Sequence, residues 1–174
     1  MDETLILASA SPRRRELVGY MAGEPQRLVM ENAARKAAAV AAVHPGRVVL
    51  GADTVVYQDG RVMGKPRDEA QAREMISRLA GAWHTVYTGV CVIGRDGKRD
   101  VRCDESRVRF ASLSPDTIAA YVKTGEPMDK AGAYALQGRG GMFVERIEGS
   151  YSNVIGLPMA LAREMLLSAG VTNL

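Results

Sequence analysis

A chain of 174 residues with 47% hydrophobic content is enough for one ordinary domain, or for two small lobes sharing a sheet, and it is read here as a single domain over residues 1–174. No run approaches the ~20 uninterrupted apolar residues of a membrane span, and acidic Asp2 and Glu3 stand where a secretory signal would be basic, so the expectation is a cytoplasmic protein without a membrane partner. A net charge of +3 is too small and dispersed for wholesale nucleic-acid binding. The thiols Cys91 and Cys103, with His44 and His84, argue against a structural zinc site.

Strand-like and helix-like segments alternate along the chain, which predicts an α/β or mixed α+β fold. Leu5 to Ala8 reads as a buried strand, and Ser11 then caps a helix over Arg13 to Tyr20, with Pro12 at its first position. From about Glu24 to Val43, apolar residues at Val29, Ala33, Ala37 and Val40 form a helical stripe. "RVVLGADTVVYQDGRVMGKP" reads as a buried strand, an acidic break at Asp53, a second strand, an Asp59-Gly60 turn and a short return. Asp68 to Leu79 is a helix closed by Gly81, and a long hairpin turns around Asp96-Gly97. Cys91 and Cys103 are equidistant from Gly97, which would let them face each other as reduced cytosolic thiols. Ser114-Pro115 opens another helix that Gly125 ends, a strand runs near Met142 to Ile147, and Pro158 to Ala169 is the closing helix.

The chemistry-bearing residues fall in three places. A helix N-terminus already attracts anions, and Arg13 and Arg14 beside the Ser9 and Ser11 hydroxyls would make the first of them phosphate-seeking. Taken alone, those arginines would be no more than a solvated face. Asp53 in "GADTVV" offers a carboxylate at a strand end for a divalent cation, and Lys65 in "GKP" offers an ammonium for phosphate. Lys36 on the long helix is a third candidate cation; alternatively Asp53 is a turn or capping residue and Lys65 a plain surface lysine. Neither a Walker A pattern nor a G-x-G-x-x-G after a strand occurs, which disfavours the P-loop and Rossmann readings and points to a different phosphate cradle.

"LILASASPRRREL", "GADTVV", "GKP", "HTVYTGV", "TGEPMDKAGAYALQG" and "ERIEGSYSNVIGLP" follow one another in the order seen in Maf proteins, which this chain resembles over nearly its whole length. Those are nucleoside triphosphate pyrophosphatases, first named septum formation inhibitors. The resemblance implies a fold like that of inosine triphosphate pyrophosphatases: a central, mixed, twisted sheet flanked by helices, with two lobes around an active-site cleft. It implies cleavage between the α- and β-phosphates with Mg2+ or Mn2+, and a homodimer that no sequence feature here requires. The family's substrate-binding positions fall on Ser9, Ser11, Arg13, Arg14, Lys36 and Lys65, and its catalytic, metal-binding aspartate on Asp53. A carboxylate of ordinary acidity is a weak base near neutrality, so a metal that acidifies the water is the more economical account of that aspartate.

Within the family, one branch acts on dTTP and UTP and another on 7-methyl-GTP. Arg13, Thr54 and Gln137 match the first, where the second typically has a tryptophan, a glutamine and a glutamate. A neutral amide such as Gln137 both donates to and accepts from a pyrimidine edge, whereas a carboxylate suits the N–H-rich edge of a guanine. Between Tyr20 and Glu24 only "MAGE" stands where the family has a further strand and an acidic loop. The second carboxylate of that loop has no counterpart here, and its role is not carried onto Glu24. Two competing readings are a non-catalytic nucleotide-binding regulator of cell division and a nucleic-acid module supported by Arg13 to Arg15 alone.

Overall fold

In a computed structural model, the structure describes Ile6–Ala8 and residues 25–173. The expected helix over Arg13 to Tyr20, and with it Ser9, Ser11, Arg13 and Arg14, lies outside the described residues. Six strands, β1 (Ile6–Ala8), β2 (Val49–Gln58), β3 (Arg61–Met63), β4 (Trp83–Ile93), β5 (Arg99–Phe110) and β6 (Val144–Glu148), form one mixed sheet. Its order is β1-β2-β4-β5-β6, with β3 also on β2. β1 runs parallel to β2, while β3 is antiparallel to β2 and β6 to β5. The helices are α1 (Pro25–Ala41), α2 (Glu69–Leu79), α3 (Pro115–Val122), α4 (Tyr151–Ile155) and α5 (Met159–Ser168). The mixed α/β class is as the sequence predicts. Among the described residues, no helix is long and apolar enough to cross a membrane.

Two compact units divide the chain. The first comprises the described residues of Met1–Thr54, Thr88–Asp104 and Gly156–Leu174; the second is Val55–Tyr87 and Glu105–Ile155. In the first, strand alternation decides which residue meets which helix. Val49 of β2 and Cys91 and Ile93 of β4 pack with Ala33 and Ala37 of α1. Leu50, Val90 and Val92 point the other way and pack with Ala162, Met165 and Leu166 of α5. Of the predicted stripe on α1, Val40 is half-buried, and Val29, Ala33 and Ala37 are fully enclosed. Val29 is the large side chain among them, and enclosing it stabilises by about 1.5–3 kcal/mol.

Two glycines let α1 settle directly onto the strands. A Cβ on Gly51 would lie 2.8 Å from the Ala33 carbonyl oxygen and 2.9 Å from the Ala37 nitrogen; one on Gly89 would lie 2.3 Å from the Val29 carbonyl oxygen. Backbone packs on backbone at both points, so the height of α1 above the sheet is set without side chains between.

The second unit packs α2 and α3 around Val56, Met63, Val86, Val108, Phe110 and Phe143. α2 begins where Asp68, expected as its first residue, instead caps it by accepting from the Gln71 N–H at 2.8 Å, and α3 opens as expected where Ser114 accepts from the Thr117 N–H at 3.2 Å. Within this core His84, 3% exposed, has Nε2 2.9 Å from the Tyr134 hydroxyl and its ring edge-on to Phe110 at 5.1 Å. Burial lowers its pKa from an ordinary 6.5 to about 4. An unfolded chain therefore binds the extra proton first, so stability is complete above about pH 6.5 and falls as the pH drops toward 4. The expected slope reaches about 1.4 kcal/mol per pH unit, with a total near 3 kcal/mol. Urea unfolding between pH 4 and 7.5 is expected to show this dependence in the wild type and to lose it in His84→Asn.

Two sequence expectations are corrected here. β2 has no acidic break: it runs unbroken through Asp53, because that side chain is accommodated by α1. The β4–β5 hairpin turns at Asp96-Gly97 as expected, but it is not symmetric about Gly97, on which the facing of Cys91 and Cys103 relied. The Gly94 N–H donates to the Lys98 carbonyl at 2.8 Å and the Gly97 N–H to the Gly94 carbonyl at 3.0 Å, a three-residue loop with Gly97 left-handed at φ 79°. Cys91 lies three residues before the closing pair of Gly94 and Lys98 and Cys103 five after it, so the turn does not set them opposite each other, and neither is in a disulfide.

Candidate functional site

Asp53 lies two residues beyond Gly51 on β2, so both face α1. Asn32 and Lys36 are one turn apart on that helix and therefore share a face. The Asn32 amide donates to Asp53 Oδ2 at 2.8 Å, and the Lys36 ammonium donates to Asp53 Oδ1 and, at 3.0 Å, to the Ala52 carbonyl. The Arg35 guanidinium donates to Asn32 Oδ1, which fixes the way round that amide sits. The Asp53 side chain is 18% exposed and that of Lys36 31%, so the pair is sheltered but reachable. Among the described residues, Lys36 uses two of an ammonium's three donors, and Asn32 and Lys36 occupy two of a carboxylate's roughly four acceptor positions. Each side chain is held and each keeps capacity for a further partner.

Thr54, the next residue, faces away from Asp53. Its hydroxyl is 2.9 Å from that of Thr88 and donates to the Gly156 carbonyl at 3.4 Å. The structure thus brings Lys36 and Asp53 together and gives Thr54 a different neighbourhood. Asn32 was not singled out from sequence. The signal was there in its spacing, four residues before Lys36 on the stripe side of a predicted helix.

In the second unit, Lys65 is exposed in the loop after β3. The Gly64 carbonyl before it accepts the Gly132 N–H at 3.0 Å and Pro66 after it is buried, so its backbone is pinned on both sides. Asp129 is held below the usual carboxylate range by its hydrogen bond to Lys130, against the opposing effect of burial, with the charges of Lys130 and Lys65 adding to the lowering. Gln137 is exposed in a turn closed by the Gly138 N–H donating to the Ala135 carbonyl at 3.2 Å. Among the described residues, no group of three or more His, Cys, Asp or Glu side chains could hold a metal ion.

Within a mixed α/β fold, the first unit thus carries a helix-clamped aspartate on its sheet, and the second, by itself, an exposed lysine and an exposed amide in loops. The chain belongs to the family of Maf-like proteins, whose model matches residues 4–169. It is similar to a dTTP/UTP pyrophosphatase of Symbiobacterium thermophilum, 46% identical over 185 residues covering 97% of this chain and 95% of that protein. A dTTP/UTP pyrophosphatase of an Anaeromyxobacter species is 49% identical over 187 residues, covering 95% and 89%, and one of Thermococcus gammatolerans 45% identical over 172 residues, covering 90% and 92%. For the first, 97% of 174 residues is about 169, fewer than the 185 positions matched, so this chain has no counterpart at about 16 positions inside the shared region. An internal shortening of this size agrees with the brief "MAGE" connection.

Proposed function

We propose that this chain hydrolyses dTTP and UTP to the nucleoside monophosphate and pyrophosphate. The observation that carries this reading is the clamped Asp53: a carboxylate in mid-strand whose two oxygens are each held by a donor from α1, within a chain of this family. Phosphoryl hydrolysis asks for positioning and charge stabilisation more than for covalent chemistry. Asp53 orients the attacking water through its free acceptor positions and takes its proton. Lys36 spends its third donor on a phosphate oxygen, and Lys65 neutralises charge on the departing pyrophosphate, with Ser9, Ser11, Arg13 and Arg14 proposed for the remaining oxygens. Gln137 meets the pyrimidine edge with one donor and one acceptor.

A divalent cation fits the donor set in a limited way. Mg2+ is commonly bound by one or two carboxylates together with substrate phosphates rather than by a protein cage, and Asp53 is one hard-oxygen ligand with two positions to spare. Asp53 would hold Mg2+ or Mn2+, which supplies acidification of water and neutralisation of phosphate charge.

The test is pyrophosphate release from dTTP, UTP and 7-methyl-GTP, with Mg2+, with Mn2+ and with a chelator. Turnover of dTTP and UTP well above 7-methyl-GTP, lost on chelation, is expected. Preferential cleavage of the methylated purine would overturn the substrate assignment, and undiminished turnover under chelation the metal.

A further inference from the structure

Among the described residues Gln137 has no hydrogen bond of its own that would hold the turn it sits on, yet the backbone on both sides is fastened. The fastener is a side-chain pair in the same unit, Tyr121 at the end of α3 and Glu126 in the turn that follows. The Tyr121 hydroxyl donates to Glu126 Oε1 at 2.9 Å and accepts the Ala135 N–H at 3.4 Å. Glu126 accepts the Arg139 N–H on Oε2 at 2.9 Å and the Gly140 N–H on Oε1 at 3.0 Å. Tyr121 thus holds the residue two before Gln137, and Glu126 holds those two and three after it.

The fit around this pair is close. A Cβ on Gly138 would lie 2.5 Å from Glu126 Oε1, and one on Gly140 2.7 Å from the Tyr121 hydroxyl oxygen. Tyr121 is 4% exposed. Burial pushes the Glu126 carboxyl up, but the N–H groups of Gly140 and Arg139 and the Tyr121 hydroxyl outweigh it and hold the group below the usual carboxylate range. The acid is therefore ionised at neutral pH, and ionised acceptors make the stronger hydrogen bonds.

We infer that Glu126, with Tyr121, is a positioning residue for nucleobase selection: it sets the height and direction of the Gln137 turn, and through it the discrimination between pyrimidine and purine triphosphates. This rests on the proposed role of Gln137. A one-residue amide reader discriminates only if its donor and acceptor are placed within a few tenths of an ångström, and groups held by second contacts supply that placement. Glu126→Gln would turn one acceptor into an N–H2 facing a backbone N–H, which opens one side of the clamp without changing side-chain length.

The experiment measures kcat and KM for dTTP and 7-methyl-GTP in the wild type, Glu126→Gln, Gln137→Ala and the double variant. Expected is a fall of ~10-fold or more in the dTTP to 7-methyl-GTP ratio of kcat/KM for each single variant, since one lost base-reading contact is worth about that much. In Glu126→Gln the change lies mainly in KM for dTTP, and in the Gln137→Ala background Glu126→Gln has no further effect on the ratio. A Glu126→Gln variant that keeps the ratio, while Gln137→Ala loses it, overturns the inference and leaves the reading of Gln137 intact. A Gln137→Ala variant that keeps the ratio overturns that reading and the inference with it. Should Glu126→Gln fail to fold, Gly138→Ala keeps both clamp residues and displaces the turn against Glu126; the same loss of ratio is expected, and an unchanged ratio contradicts the inference.

Discussion

Asp53→Asn is expected to lower pyrophosphate release from saturating dTTP by at least ~100-fold, the scale of a missing general base. The substitution keeps the shape but removes the charge. Oδ1 can still accept from Lys36, whereas the new amide N–H2 faces the Asn32 amide donor, so one of the two hydrogen bonds on the carboxylate is lost. A lost hydrogen bond to a charged group costs about 1.5–3 kcal/mol, and at this chain length each kcal/mol moves Tm by about 2–4 °C. The variant should therefore fold and melt a few degrees below the wild type, with nucleotide binding partly retained through the lysines. Turnover like that of the wild type, in a folded Asp53→Asn protein, would remove this residue from the mechanism.

Gly89→Ala has the largest effect expected on stability. Its Cβ would meet the Val29 carbonyl oxygen at 2.3 Å, the Val29 carbonyl carbon at 2.4 Å and the Met30 nitrogen at 2.6 Å, all backbone atoms of α1. Backbone in a helix cannot swing aside as a side-chain tip can, so α1 as a whole has to rise from the sheet. Overpacking of this kind typically costs 1–3 kcal/mol and occasionally more, and a clash with backbone alone belongs at about 3 kcal/mol. A fall in Tm on the order of 6–12 °C follows. Because α1 carries Asn32 and Lys36, activity should drop further than the loss of folded protein accounts for. Gly64→Ala is the control: a Cβ there meets nothing within 4 Å and its backbone is not left-handed, so Tm should hold. Equal melting of Gly89→Ala and the wild type would contradict the close seating of α1.

How much of this was legible in the sequence depended on the kind of contact. The stripe of Val29, Ala33 and Ala37 announced both a helix and its buried face, because helical period and burial are the same fact seen twice. Turn chemistry placed the opening of α3 at Ser114, where a short polar side chain satisfies a free N–H, whereas Asp68 was read as the first residue of a helix and is its cap. Asp53 was visible as an anomaly, an acid between two apolar runs. Its consequence was misread as a break, since sequence does not reveal that a lysine and an asparagine one helical turn apart lie over it. Gly51 and Gly89 were silent for the same reason: their importance is the absence of an atom that α1 would strike. Glu126 drew no reading of its own from the sequence, because only the folded loop brings two N–H groups from residues 139 and 140 to its carboxylate. Cys91 and Cys103 were paired by counting from Gly97, whereas the bulge that glycine forms shifts the register.

The central claim is that the chain cuts dTTP between its α- and β-phosphates, and it is tested most directly by following the products by 31P NMR in a reaction of dTTP with the purified wild-type protein and Mg2+. The account predicts dTMP and pyrophosphate in equal amounts, with neither dTDP nor orthophosphate accumulating. Formation of dTDP and orthophosphate, or dTTP left intact by a folded protein, would contradict it.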